Sequence, residues 1–385
     1  MTGRTGVLFL TWAALLASGT ATQEPSLRAV AEHAGLLVGA AARPAQLSEP
    51  NYASTLAREF SMLQPEDALK WEVVHPQPES FDFQQADRLL TFAIAHNMKV
   101  RGHTLVWHRQ NPKWLTEGTY TPNQLARILE QHIKTVVGHY RGKIFAWDVV
   151  NEAFDEIQRG KLRSTLWRDQ PGIGQEQRVT NDEARAATDR GSAVPEARPE
   201  EARAEPSYAY IERCFRWAHE ADPQALLFYN DAEAEEVNSK SDAIYRMVED
   251  FRRRGVPIDG VGLQMHVPNL RADVASISAN IQRFTALGLQ IHITEMDVAL
   301  PVDSNGNARP DDEQSQTHLY REIAAACVSH PGCTAIQTWG FTDKYSWIGS
   351  HSQHKQGAAL LFDRNYQPKP AYSALKNLLA QTGRR

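Results

Sequence analysis

A single (β/α)8 barrel, the TIM-barrel architecture, is the fold that the sequence predicts. Eight short apolar runs of strand-like composition alternate with segments of helical periodicity, and no linker divides the 385 residues. Charged residues fall in a telling place as well. Glu152 closes the run Trp147–Glu152, and Glu295 stands near the end of Ile291–Asp297, so two acids mark strand ends. Barrels of this class carry their functional groups at the C-terminal ends of the strands. A doubly wound open sheet is the alternative, but no glycine-rich phosphate loop follows the first run.

Taken in order, the chain opens with Arg4, an apolar stretch Gly6–Ala17 and the small residues Ser18, Gly19, Thr20 and Ala21. That stretch is too short to span a bilayer, so residues 1–22 read as a cleaved secretory signal and 23–385 as an exported single barrel. The strand runs are Leu36–Ala41, Phe60–Leu63, Met98–Val106, Ile144–Val150, Leu226–Tyr229, Val261–Leu263, Gln290–Thr294 and Ala335–Trp339. Between them the clearest helix starts at Thr121-Pro122, where a capping residue and a first-turn proline precede the helical repeat Leu125, Ile128, Leu129, Ile133, Val136 and Val137. Another runs from Lys240 to Arg254 and stops at Gly255. Glu176–Glu205, after the fourth strand, holds no aromatic residue and no Leu, Ile or Phe, so it cannot bury a core. It reads as a low-complexity insertion on the catalytic face, a mobile solvated loop, with a partner-binding or substrate-gating element as the rival reading.

With 42% hydrophobic and 23% charged residues, the composition is that of a soluble globular protein. A formal net charge of -5 gives no general attraction for nucleic acid or anionic membranes, so a neutral substrate fits better. Three cysteines are too few for a disulfide scaffold, and their spacing does not suggest zinc. Cys327 and Cys333 lie close enough for a small loop disulfide in an oxidising compartment, leaving Cys214 as a lone thiol in a helical pattern.

The strand ends supply the chemistry. They read Glu66 and Lys70 after the second run, His103 and Trp107 near the third, and Asn151 and Glu152 after the fourth. Gln264 and His266 follow the sixth, Glu295 and Asp297 the seventh, and Trp339 the eighth. Two acids, neutral hydrogen-bonding groups and flat indole walls suit an uncharged polyhydroxylated sugar. A strand-end Glu alone is more often salt-bridged than catalytic, and for Lys70 a structural ion pair is the rival reading. His103, His108, His266 and His292 are poor metal candidates because amides and carboxylates surround them in the sequence. Trp71 and Trp147 read as core, and Asp303–Asn307 as a turn rather than a calcium loop.

Six segments in order then carry a resemblance: Pro65–Trp71, Val100–His108, Trp147–Glu152, Gly260–His266, Ile293–Asp297 and Thr338–Trp347. Together they resemble glycoside hydrolase family 10, the retaining endo-β-1,4-xylanases. The resemblance implies Glu152 as general acid/base, Glu295 as nucleophile and Asn151 as partner of the sugar 2-hydroxyl. It implies Gln264 and His266 around the nucleophile with Asp297 orienting His266, while His108 and His292 read as supporting or core residues. Glu66, Asp67, Lys70, His103 and Trp107 match sugar sites on the non-reducing side, Trp339 and Trp347 roof the cleft, and Cys327 pairs with Cys333. Retention asks for carboxyl groups about 5–5.5 Å apart, and the charge of Glu295 is expected to hold the proton on Glu152. No metal or cofactor is implied. A secreted monomer acting on xylan or xylo-oligosaccharides is expected. The alternatives are a β-glycosidase acting on aryl glycosides or cello-oligosaccharides, and a non-catalytic carbohydrate-binding barrel.

Two departures from the family pattern stand out. Asp67 replaces the usual Asn, and Ala232-Glu233 replaces Tyr-Asn after Asn230-Asp231, so altered leaving-group subsites are expected.

Overall fold

The computed structural model describes residues 24–169, 173 and 208–383; the expected leader and the whole expected insertion lie outside the described residues. The strands in chain order are β1 (Leu37–Ala42), β2 (Met62–Pro65), β3 (Lys99–Gly102), β4 (Ala146–Asn151), β5 (Leu226–Asp231), β6 (Gly260–Leu263), β7 (His266–Val267), β8 (Gln290–Val298), β9 (Leu300–Pro301), β10 (Cys333–Thr338) and β11 (Gln356–Gly357). Strands β1 to β6, β8 and β10 pair in parallel, and β10 pairs with both β8 and β1, which closes an eight-stranded barrel. The (β/α)8 expectation holds.

The main helices packed around the ring are α1 (Leu27–His33), α2 (Pro50–Glu59), α3 (Gln84–Ala95), α4 (Pro122–His139), α5 (Ala209–Ala221), α6 (Ser239–Arg253), α7 (Val274–Ala286), α8 (Pro310–Val328) and α9 (Pro370–Gln381). Helix α4 forms as its sequence asks: Thr121 Oγ1 accepts from Gln124 N at 3.3 Å and Thr121 N donates to Gln124 Oε1 at 2.9 Å, a reciprocal cap. Its face of Leu125, Leu129, Ile133, Val136 and Val137 is buried, at about 1.5–3 kcal/mol per large side chain. Helix α6 is capped by Asn238 Oδ1, which accepts from Lys240 N and Ser241 N, and is followed by Gly255 at φ +66°. Cys327 at the end of α8 and Cys333 at the start of β10 are joined by a disulfide, while Cys214 is buried in α5 as a free thiol. In the Asp303 turn the carboxylate accepts from Asn305 N and Asn307 N, each at 2.9 Å.

Strand limits differ from the runs where other partners compete. The third run ends as a strand at Gly102 rather than Val106, because the chain leaves the ladder and re-pairs through Leu105 N to Asp148 O and Asn151 N to Val106 O. That departure carries His103 toward the cleft. The seventh run extends to Val298, because β7 sets His266 opposite Asp297 and gives the extra residues a ladder partner.

The barrel interior is polar. Arg101 on β3 reaches across to His292 on β8, with Nη1 2.6 Å from Nδ1, and forms a two-point ion pair with Asp148 on β4. All three are buried, and the guanidinium lies 4.6 Å from the centre of the Phe228 ring. Burial first, and the Arg101 charge second, hold His292 well below the ordinary imidazole range, so it accepts as a neutral ring. Trp147 is buried as expected, and Trp71 stacks on His132 with centroids 3.6 Å apart.

Candidate active site

Both acids sit at the C-terminal mouth of the barrel in different surroundings. Glu152 directly follows β4. Its Oε1 accepts from Gln264 Nε2 at 2.9 Å and its Oε2 from Trp107 Nε1 at 2.8 Å, with His108 Nδ1 3.9 Å away. Glu295, in β8, is 4% exposed; its Oε1 accepts from Asn230 Nδ2 at 2.8 Å, and its Oε2 lies 3.4 Å from His266 Nε2. His103 Nδ1 approaches Glu295 at 4.0 Å and is held by Asp148 Oδ2 at 3.0 Å. Of the strand-end residues singled out in the sequence, His103, Trp107, Glu152, Gln264, His266 and Glu295 fall into this connected set.

Asn151 stands between the two acids. Its Oδ1 accepts from Asn230 Nδ2 at 2.9 Å and from Gln264 Nε2 at 3.3 Å. Turned end for end, the same amide would offer its oxygen to Trp107 Nε1 at 3.2 Å. The β4–β5 register pairs Asn151 with Asn230, which sets their side chains next to each other. Room for Asn230 comes from Gly262 on β6: a Cβ there would lie 2.2 Å from Asn230 Oδ1. Any other residue would push that amide off Glu295.

The charges of the site follow from these contacts. Burial disfavours the His266 imidazolium, but Asp297, 2.9 Å from Nδ1, and Glu295 outweigh it and hold the ring charged well above the usual range. Trp347 Nε1 donates to the same Asp297 oxygen at 2.9 Å, so Asp297 orients both groups. For Glu152 burial raises the pKa, yet the Gln264 and Trp107 donors, and after them the Lys240 charge, bring it below the ordinary carboxylate range. The expectation that Glu295 keeps Glu152 protonated is therefore corrected for the free site: N–H donors favour the carboxylate there. His108 is lowered to about 4, first by burial and then by Arg163, and is neutral at pH 7.

The remaining groups form the far wall. Lys70 Nζ lies 5.0 Å from the Trp107 ring centre, 5.7 Å from that of Trp339, and 3.1 Å from Asp67 Oδ1. Trp339 meets His103 edge to face at 5.3 Å, and Trp347 meets His266 at 5.1 Å. Among the described residues no group of three or more His, Cys, Asp or Glu side chains is placed to hold a metal ion.

A family model described as glycosyl hydrolase family 10 matches residues 26–192 and 199–378. The chain belongs to glycosyl hydrolase family 10. It is a glycoside hydrolase. The endo-1,4-beta-xylanase B of Thermotoga neapolitana is 39% identical over 367 residues, 94% of this chain and 94% of that protein. The crystal structure of native xylanase 10B from Thermotoga maritima is 40% identical and superposes with a TM-score of 0.79 over 92% of this chain and 98% of that one. Xylanase 10B from Thermotoga petrophila RKU-1, solved in complex with xylobiose, is 39% identical with a TM-score of 0.80 over 93% and 98%.

Against the family pattern the two departures acquire partners. Asp67 is not free to meet a sugar alone: Arg43 Nε lies 3.0 Å from it, and Arg43 Nη2 lies 2.6 Å from Glu66. Burial pushes Glu66 up while Arg43 pulls it down, and the net direction is up. Glu233 ion-pairs with Arg159 at 2.8 Å, both half exposed, beside the small Ala232. Arg43, Asn230 and Glu235 were missed in the sequence. Glu235 Oε1 accepts from Met265 N at 2.9 Å and so secures the residue at φ +66° between Gln264 and His266. Asn230 ends its strand run just as Asn151 does, and that parallel was the available signal. Arg43 and Glu235 follow strands without any motif around them.

Proposed function

We propose that this family 10 hydrolase is an endo-β-1,4-xylanase that cleaves internal linkages of xylan with retention of configuration, Glu152 acting as acid/base and Glu295 as nucleophile. The observation that carries the assignment is the asymmetry of the two carboxylates. Glu152 meets neutral N–H donors and can exchange a proton, whereas Glu295 is pinned between Asn230 and a charged His266. In the first step Glu152 passes its proton to the leaving glycosidic oxygen while Glu295 attacks the anomeric carbon from the opposite face. The ester so formed is released by water, which gives its proton to Glu152. Asn151 hydrogen-bonds the 2-hydroxyl, Trp107, Trp339 and Trp347 stack on sugar rings, and Glu66, Asp67, Lys70 and His103 bind the non-reducing side. The test is reducing-sugar release from xylan, with NMR of the first anomer formed. A β-product is expected, and an initial α-product overturns retention.

The first step draws on protonated Glu152, so kcat/KM falls as pH rises. Gln264→Leu deletes one donor to the carboxylate and thereby favours the neutral acid. Its falling limb in a kcat/KM profile is expected at higher pH than that of the wild type; an unmoved limb contradicts the assignment.

At the sugar-binding end, Asp67→Asn releases Arg43 from one partner and restores an amide donor. KM for linear xylo-oligosaccharides is expected to fall about two- to tenfold with kcat unchanged, the worth of one hydrogen bond. On the leaving-group side the Arg159–Glu233 pair stands in place of an aromatic platform, which supports altered subsites there. Export as a monomer completes the proposal; the composition of residues 1–22 and the paired Cys327 and Cys333 support the export.

A further inference from the structure

We propose that Tyr229, Asp231 and Lys240 form a buried clamp that aims Glu152 at the leaving oxygen, making all three positioning residues for the reaction. The inference rests on the acid/base reading of Glu152 and deepens it. Glu152 has φ +54°, a left-handed conformation that a residue with a Cβ keeps only where its neighbours over-determine it. Two backbone bonds do so. Glu152 N donates to the Asn230 carbonyl at 2.9 Å, and the next amide, Ala153 N, donates to the Tyr229 hydroxyl at 3.0 Å.

That hydroxyl is the near end of a chain. It donates to Asp231 Oδ2, and Asp231 Oδ1 lies 2.8 Å from Lys240 Nζ and accepts from Ala232 N at 2.9 Å. Tyr229, Asp231 and Lys240 are all 0% exposed. A buried ion pair is weak evidence for stability, because desolvation offsets most of its attraction. Lys240 also sits in the first turn of α6, where the helix dipole opposes a cation. Neither helix formation nor burial explains a lysine there. Fixing Asp231 does: the anchored carboxylate holds the phenol, the phenol holds the Ala153 amide, and the peptide after Glu152 cannot rotate.

The test uses kcat/KM on aryl β-xylobiosides whose leaving groups span a range of pKa, since only poor leaving groups need the proton. Tyr229→Phe keeps the ring and removes the hydroxyl. It is expected to lose about tenfold or more on the poorest leaving group, the scale of a misplaced catalytic group, and to be nearly unchanged on the best. Lys240→Met, measured at a temperature where its unfolding curve shows it folded, is expected to repeat the pattern. A loss equal across the series, or no loss, overturns the clamp and leaves a structural staple. Glu152→Ala separates the two readings: if it too shows no leaving-group dependence, the acid/base assignment fails rather than the clamp.

Discussion

Glu295→Ala is expected to lower turnover on xylan by at least about 10⁴-fold, the scale seen when a nucleophile is removed from a site that otherwise stays intact. Without that carboxylate no glycosyl-enzyme ester forms, and Asn230 and His266 lose the acceptor they share. Substrate binding rests on other groups, so KM should change little. Alanine also opens space on the face opposite Glu152. Added azide is therefore expected to attack the anomeric carbon there, as Glu152 protonates the departing sugar, and to yield an inverted glycosyl azide. Steady-state rates with and without azide, and NMR of the product, check both points. Retention of more than about one part in a hundred of the activity would remove Glu295 from the nucleophile role.

A second large effect is expected in the barrel rather than the cleft. Arg101→Met leaves Asp148 buried without its counter-charge, at a cost of about 3–5 kcal/mol in urea unfolding. Burial pushes Asp148 up, but Arg101, with His103, outweighs it and holds the carboxyl below its ordinary range. A depressed carboxylate contributes stability that is present above the unfolded pKa of about 3.9 and is lost as pH falls through the folded value. The deficit of Arg101→Met should thus be plain at pH 7 and shrink in acid. Replacing both partners, Arg101→Met with Asp148→Leu, should recover much of the stability, because no unpaired charge remains. It should not recover activity, because His103 loses the oxygen that holds it 4.0 Å from Glu295. A double variant no more stable than the single one would show that the pair is not the source of the loss.

The strands and the two acids were legible because parallel strands buried on both faces read as continuous apolar runs, and a carboxylate just after such a run is conspicuous. Boundaries were less legible. The third run looked like one strand to Val106, since composition does not reveal that Leu105 and Asn151 take the next hydrogen bonds across the gap. Arg101, Asp148 and His292 lie inside strand segments, and nothing local shows that they meet across the barrel. Of the site, Glu152, Glu295 and their named neighbours stood at strand ends. Asn230 stood at a strand end as Asn151 does, whereas Arg43 and Glu235 became visible only through their partners.

By itself the sequence determined the alternation that closes a barrel, the two carboxylates at its mouth and the sugar-fitting residues around them, because each is a local matter of residue type and spacing. Tertiary structure alone decided how the carboxylates differ. Donors from β3 and β6 loops converge on Glu152 and lower its pKa, while His266, charged through Asp297, faces Glu295. It also decided that Asp67 meets Arg43, 24 residues earlier in the chain, and that Glu152 is braced from Lys240. Hydrogen bonds and fields act over a few Å in space, and that proximity is set by barrel closure rather than by position along the chain.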